Sequence, residues 1–155
     1  MESSSCEIVE VEVVTSELVE AFGRLLPQLS PAGSAAPAVL GAADLQEIVG
    51  AAGTTLFIAR EGTPPGSIVG SATLVVLRIP SGRRARLESV VVDEGARGRG
   101  VGEALCRAAL ARAAAAGVAC VDLSSSPSRS AANRLYLRLG FEQRHTNVYR
   151  FPCPA

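Results

Sequence analysis

Glu88-Ser89-Val90-Val91-Val92-Asp93-Glu94-Gly95-Ala96-Arg97-Gly98-Arg99-Gly100-Val101-Gly102 decides how the rest of the chain reads. Three β-branched residues in a row, Val90 to Val92, favour an extended, covered strand. A short turn follows, then a helix that the pattern carries to about Ala116. From Arg97 to Gly102, three glycines and two arginines stand at the mouth of that helix. Glycine has no Cβ, so the backbone there can come close to a bound group. The first N–H groups of a helix have no partner inside it and point outward as donors. The helix dipole adds partial positive charge at the same end. With Arg97 and Arg99 beside them, these donors make a site for an anion, and a phosphate or pyrophosphate fits best.

Known phosphate patterns narrow the choice. A P-loop would need a Lys-Ser/Thr pair where Val101-Gly102 stands, and the chain has no lysine at all, its 15 basic residues all being arginine. A dinucleotide fingerprint, Gly-x-Gly-x-x-Gly, fails at Glu103 if it starts at Gly98 and at Leu105 if it starts at Gly100. The pattern that fits is Arg-x-x-Gly-x-Gly, at Arg97, Gly100 and Gly102. A purely structural turn is the other reading of so short a motif.

A length of 155 residues, 48% apolar and 19% charged, predicts a single globular domain over residues 1–155, with 1–6 disordered. The formal net charge of zero argues against a nucleic-acid partner. Arg78, Arg83, Arg84, Arg86, Arg97 and Arg99 cluster mid-chain, which reads as a solvated loop plus one anion site rather than an RNA patch. The first residues lack the basic, then apolar, pattern of a signal peptide, and no apolar run approaches the ~20 residues of a membrane span. Cys6, Cys106, Cys120 and Cys153 lie far apart and His145 is the single histidine, so no metal spacing appears. The expectation is a cytoplasmic protein with reduced thiols, no metal and no membrane partner. Cys106 and Cys120 read as small buried hydrophobes. The lysine-free, alanine- and arginine-rich composition suggests a GC-rich bacterial genome.

Along the chain, Glu7 to Val14 alternates, with Val9, Val11 and Val13 on one face, as a strand with one wet side does. Ser16 can cap a helix running from Glu17 to about Leu29, striped by Leu18, Phe22, Leu25, Leu26 and Leu29. Ser30 to Gly41 is a loop of small residues and prolines. A second helix is expected over 44–52, then strands over 54–60 and 68–77 joined by the turn Gly62-Thr63-Pro64-Pro65-Gly66. Gly70 and Ala72 inside the longer strand mark a bulge or a close approach. The strand Ala85–Val92 completes a meander. In the helix after it, Val101, Ala104, Leu105 and Ala108 face inward, Glu103 and Arg107 pair at i, i+4, and Gly117 ends it. A strand over 118–123 must then run parallel to 85–92, because a helix crosses between them. A helix over 129–139 ends at Gly140, with Phe141 folding back on that cap, and His145–Phe151 is a closing strand. The order is β-α-α-β-β-β-α-β-α-β, an α/β fold on a mixed sheet with a parallel pair at its centre.

That order, the Arg97–Gly102 motif and a second stretch, Asn133-Arg134-Leu135-Tyr136-Leu137-Arg138-Leu139-Gly140-Phe141, together resemble the GNAT superfamily of N-acetyltransferases, whose second motif is Asn-x-x-Tyr-x-x-x-Gly-Phe. Leu87 to Val92 also resembles the matching strand of the glucosamine-phosphate N-acetyltransferases and their small bacterial relatives. The resemblance implies a GNAT-type mixed sheet whose central parallel strands splay apart, and acetyl-CoA as cosubstrate. The backbone of Val90, Val91 and Val92 would pair with the pantetheine arm, since the splayed strands leave backbone groups that need partners. Arg97, Gly98, Arg99, Gly100, Val101 and Gly102 would cradle the pyrophosphate. Asn133 would bond the pantetheine or the loop near it, and Tyr136 would reach the thioester sulfur.

The activity so implied is direct transfer of an acetyl group to a primary amine of a small molecule or peptide. The amine must lose a proton before it attacks, and coenzyme A leaves as a thiolate. Tyr136 is the candidate acid for the thiolate. Glu88 is the candidate base, because a carboxylate flanked by Leu87, Val90 and Val91 is expected to be partly desolvated. Bland readings stand beside these roles: Glu88 as a solvent-facing partner of Arg86, Tyr136 as a core aromatic, Asn133 as a helix-surface amide. The alternatives at the level of function are a non-catalytic acyl-CoA sensor or partner-binding domain on the same fold, and a nucleotide-binding protein. Arg78, Arg83, Arg84 and Arg86 would suit an acidic acceptor. The resemblance also allows a homodimer through the closing strand.

Overall fold

The structure, a computed structural model, describes residues 6–29 and 39–154. The loop expected over 30–41 lies mostly outside the described residues, as does the disorder expected over 1–6 except at Cys6. The chain divides into two compact units, Met1–Ser124 and Ser125–Ala155.

The first unit is built on a five-stranded sheet in the order β1-β2-β3-β4-β5. Its strands are β1 (Glu7–Glu10), β2 (Thr54–Glu61), β3 (Ser67–Ile79), β4 (Gly82–Val92) and β5 (Val121–Asp122). The first four pair antiparallel in sequence, and β4 pairs with β5 in parallel. Leu56 to Ala59 are buried on both sides of β2, as befits a strand whose apolar run is unbroken. Helix α1 (Ser16–Leu25) starts one residue earlier than the sequence suggests. Thr15 is its N-cap, its hydroxyl accepting from the Leu18 N–H at 3.2 Å. Leu18, Ala21, Phe22 and Leu25 are its buried stripe, and a 3-10 turn, Leu26–Gln28, continues it. Leu45 of α2 (Ala42–Gly50) joins the same core, with Ile58, Ile68 and Val91.

Helix α3 (Val101–Ala115) packs against the sheet through Val101, Leu105, Cys106, Ala109 and Ala113. The expected face included Ala104 and Ala108, which are only half-buried; the helix is turned so that Cys106, Ala109 and Ala113 take the inner positions. Ala-rich sides let α3 lie close. A Cβ added to Gly70 of β3 would come within 3.0 Å of the Val91 carbonyl and within 3.1 and 3.3 Å of Leu105 and Val101. Gly70 therefore marks a close approach, and the sheet's bulges fall just beside it.

Several expected boundaries are corrected. β1 stops at Glu10, its last bond to β2 running from the Val11 N–H to the Leu56 carbonyl at 2.8 Å, and Val13 is 72% exposed, because alternation alone cannot hold a strand past its partner. The parallel strand expected over 118–123 shortens to Val121–Asp122. Cys120 is exposed rather than buried. β4 runs six residues past its last partner in β5, the pair Arg86 and Asp122. Beyond Arg86 no described strand pairs with β4 on that side, so the two parallel strands part.

The second unit holds α4 (Ser130–Arg138). Gly140 follows with φ of 98°, the left-handed conformation glycine supplies at a helix end. The Phe141 N–H donates to the Tyr136 carbonyl at 3.0 Å, and the two rings meet edge to face at 5.8 Å. The cap expected from the sequence is thus formed. The closing strand expected over 145–151 is not: residues 141–154 form no strand, and Val148, Tyr149 and Phe151 are exposed. A strand exists only through ladder hydrogen bonds, and none are made there among the described residues. No described helix is long and apolar enough to cross a membrane.

Candidate active site

β4 carries Glu88 at a break in its own pairing. Ser71 faces Val91 and Thr73 faces Glu88, so Ser89 and Val90 together oppose Ala72. One extra residue is a β-bulge, which bends a strand and re-aims its side chains. Ser89 absorbs it with φ of 53°, a left-handed conformation that costs a non-glycine residue of order 1–3 kcal/mol. The bulge opens on a cleft of about 480 Å³ between α2 and the sheet, lined among others by Asp44, Glu47, Ile48, Thr54, Thr73, Glu88 and Ser89. The Glu88 side chain is 47% exposed, and the Arg86 Nε donates to its Oε1 at 2.7 Å. The desolvation expected for Glu88 is therefore absent, because the bulge turns it into a wet cleft rather than among the valines. An exposed ion pair of this kind is worth at most about 1 kcal/mol, so Arg86 can be exchanged for another cation.

The turn after β4 is tied down at both ends. The Asp93 N–H donates to the Val69 carbonyl at 2.8 Å, and the Ala96 N–H donates to the Asp93 carbonyl at 2.8 Å, with Ala96 itself buried. Gly98 and Gly100 then take φ of 77° and 83°. A Cβ on either would stand in open space, so backbone conformation, not crowding, demands glycine there. No side chain caps α3 among the described residues. The backbone N–H groups of Gly98, Arg99, Gly100, Val101 and Gly102 meet no acceptor among the described residues. Five successive N–H donors at a helix N-terminus thus point outward with no partner from the described chain.

The two arginines brace this turn from outside. The Arg97 Nε donates to the Val92 carbonyl at 3.1 Å, and a second Arg97 nitrogen donates to the Gln28 Oε1 at 3.4 Å. Arg99 donates to the Gly95 carbonyl and pairs with Glu61 at 3.2 Å. The end of α1 holds the same turn: the Glu94 N–H donates to Gln28 Oε1 at 2.9 Å, and Arg24 reaches Asp93 at 3.3 Å and the Ile68 carbonyl at 2.8 Å. The sequence pointed to neither Gln28 nor Arg24, whose partners lie some 66 and 69 residues away. Ser89, Asp44, Glu47 and Glu61 were missed too.

Arg78 and Arg83 face each other across the β3–β4 hairpin, with Arg84 next to Arg83. One Arg83 nitrogen donates to the Ala116 carbonyl at the end of α3, at 3.2 Å. Arg78 and Arg83 line a separate cleft at the β3–β4 hairpin tip. In the second unit, the Asn133 side chain donates to the Ser126 carbonyl at 3.0 Å, holding the loop before α4. Tyr136 is buried there, and His145 is exposed. Among the described residues no group of three or more His, Cys, Asp or Glu could hold a metal ion.

Comparison with known proteins gives this geometry its family. An acetyltransferase from Trypanosoma brucei is 29% identical, with a TM-score of 0.72 over 96% of this chain and 100% of that one. An aminoglycoside N-acetyltransferase solved in complex with CoA is 26% identical, with a TM-score of 0.74 over 97% of each chain. Glucosamine-6-phosphate N-acetyltransferase from Arabidopsis thaliana shares the fold at 19% identity, with a TM-score of 0.74 over 95% of this chain and 98% of that one. No curated protein matches the sequence. The model of the acetyltransferase (GNAT) family matches residues 19–141, a span that takes in the bulged strand, the anion turn and the Asn133–Phe141 motif, and the chain belongs to this family of N-acetyltransferases.

Proposed function

We propose that this chain, working as one domain, transfers the acetyl group of acetyl-CoA directly to a primary amine of a small molecule. The observation that carries the reading is the run of five unclaimed N–H donors from Gly98 to Gly102, which fits a pyrophosphate. The neighbour solved with CoA supports the same ligand. When bound, acetyl-CoA supplies an activated thioester. The chain's part is to hold it and to move two protons. The backbone of Val90, Val91 and Val92, where β4 and β5 part, would hold the pantetheine arm, and Arg97 and Arg99 would keep the turn that receives the pyrophosphate. Asn133 would order the loop before α4. Glu88 would take the proton from the incoming amine, and Tyr136 would give one to the departing thiolate.

The cleft beside Glu88 supports an acceptor that arrives as a cation. Asp44 and Glu47 line it with Glu88, and a protonated amine can displace Arg86 from the Glu88 carboxylate. One neighbour is an aminoglycoside acetyltransferase, an enzyme of cationic amines. The Arg86 ion pair also favours the second reading, an acyl-CoA-binding domain without turnover.

Isothermal titration with acetyl-CoA tests the proposal. The wild type is expected to bind in the micromolar range. Gly100→Val, which sets a β-branched side chain at a positive φ, is expected to abolish binding. Glu88→Gln is expected to keep acetyl-CoA affinity and lower kcat toward a cationic amine by about 100-fold or more. No binding by the wild type would overturn the proposal, and tight binding with no transfer to any amine would select the second reading.

A further inference from the structure

Glu61, the last residue of β2, is the one buried charged residue among the described residues, its side chain only 7% exposed. Its Oε2 lies 3.2 Å from Arg99, while its Oε1 is sealed from solvent and meets no donor among the described residues. A buried carboxylate is costly unless its charge is answered, and an orphaned oxygen requires an explanation. Arg99 answers the charge through Oε2 alone, at a particular place. One guanidinium nitrogen of Arg99 pairs with Glu61, and another donates to the Gly95 carbonyl. The side chain thus spans from the end of β2 to the loop that leads into Gly98 and Gly100.

We propose that Glu61 is a positioning residue for the anion turn: it anchors the Arg99 guanidinium, and through it the Gly95 carbonyl, so that the N–H donors of Gly98 to Gly102 keep their array. The proposal rests on the coenzyme A reading of that turn. Its sign sets it apart from plain electrostatics. Removing the Glu61 charge leaves the region more positive, which alone would tighten binding of a polyanion. Loss of the anchor weakens it.

The experiment is isothermal titration of coenzyme A into wild type, Glu61→Gln, Arg99→Gln and the double variant at one ionic strength, with thermal unfolding as the control for folding. Glu61→Gln is expected to bind about tenfold more weakly despite its added net positive charge, a coupling of ordinary size for an ion pair. Arg99→Gln is expected to lose at least as much, and the double variant no more than Arg99→Gln. The KM for acetyl-CoA should rise by the Glu61→Gln factor with kcat held. Glu61→Asp, which retracts the carboxylate without removing its charge, should weaken binding in the same direction and serves if Glu61→Gln unfolds. Unchanged or tighter binding by Glu61→Gln overturns the proposal, as does a further loss on top of Arg99→Gln. A wild type that fails to bind coenzyme A removes the acetyltransferase reading first, and this one with it.

Discussion

Arg99 and Glu61 share an ion pair unequally. Arg99 is 49% exposed and keeps water; Glu61 has lost nearly all of its own. Removing the arginine strands a buried carboxylate, whereas removing the carboxylate leaves a cation that solvent can still serve. Arg99→Ala is therefore expected to cost about 1–3 kcal/mol, the price of an unsatisfied buried group. Adding Glu61→Gln to Arg99→Ala should recover most of it. Thermal unfolding of the two variants beside wild type checks this, and a double variant no more stable than Arg99→Ala would contradict it. At this scale the sequence was readable where chemistry is local. The spacing of Arg97, Gly100 and Gly102 pointed to a glycine turn with outward N–H donors, and the turn is there, because all its parts lie on a few consecutive residues. The braces of that turn, Gln28, Arg24 and Glu61, were not readable, because each meets it across a long stretch of chain that no periodicity marks. Glu88 was placed on the right strand, but its exposure was misjudged, since nothing in Leu87 to Val91 announces a bulge at Ser89.

Helix α3 packs its inner face, Cys106 included, against the sheet. Cys106 is fully buried, and its thiol pKa is raised from 9.0 to about 11, first by burial and then by the charge of Glu103. The unfolded chain loses this proton more readily than the folded one. The neutral thiol therefore contributes stability that is fully present below pH 9.0 and is lost as pH rises through about 11. The expected outcome is a fall in unfolding free energy over that alkaline window, of up to about 2–3 kcal/mol. In Cys106→Ala that slope should be shallower, although its plateau near neutrality is lower from lost packing. Urea unfolding of both proteins across the window checks it, and equal slopes would assign the fall to other groups. The helix itself was legible from its alanine-rich pattern and its Glu103–Arg107 pair, which forms at 2.8 Å. Its rotation was not, because alanine on every side leaves the inner face to be chosen by Gly70 and the sheet. β5 and the tail after Gly140 show the same limit. Apolar alternation offers a strand, and only a paired neighbour makes one.

Across the whole molecule, positive charge is carried by arginine alone, 15 residues with no lysine. Guanidinium stays protonated at any working pH and presents several donors in a fixed plane. That suits Arg97, Arg99 and Arg24, each of which divides its donors between two acceptors around one turn. It has a second consequence for a protein of this family. An amine must shed its proton to take an acetyl group, and no guanidinium here can do so, so the chain offers its own chemistry no side-chain amine. Incubation with acetyl-CoA is therefore expected to add at most one acetyl group that survives hydroxylamine, on the N-terminal amine. The hydroxylamine step matters because Cys120 and Cys153 are exposed and can exchange with a thioester, a product that the reagent reverses. Intact-mass spectrometry followed by peptide mapping reads the result. A hydroxylamine-stable acetyl group on an interior residue would show that a side chain other than an amine is activated in this fold, and would reopen the assignment of the acceptor to amines. A single terminal acetyl, or none, leaves the cleft beside Glu88 as the place where the acceptor must come from outside the chain.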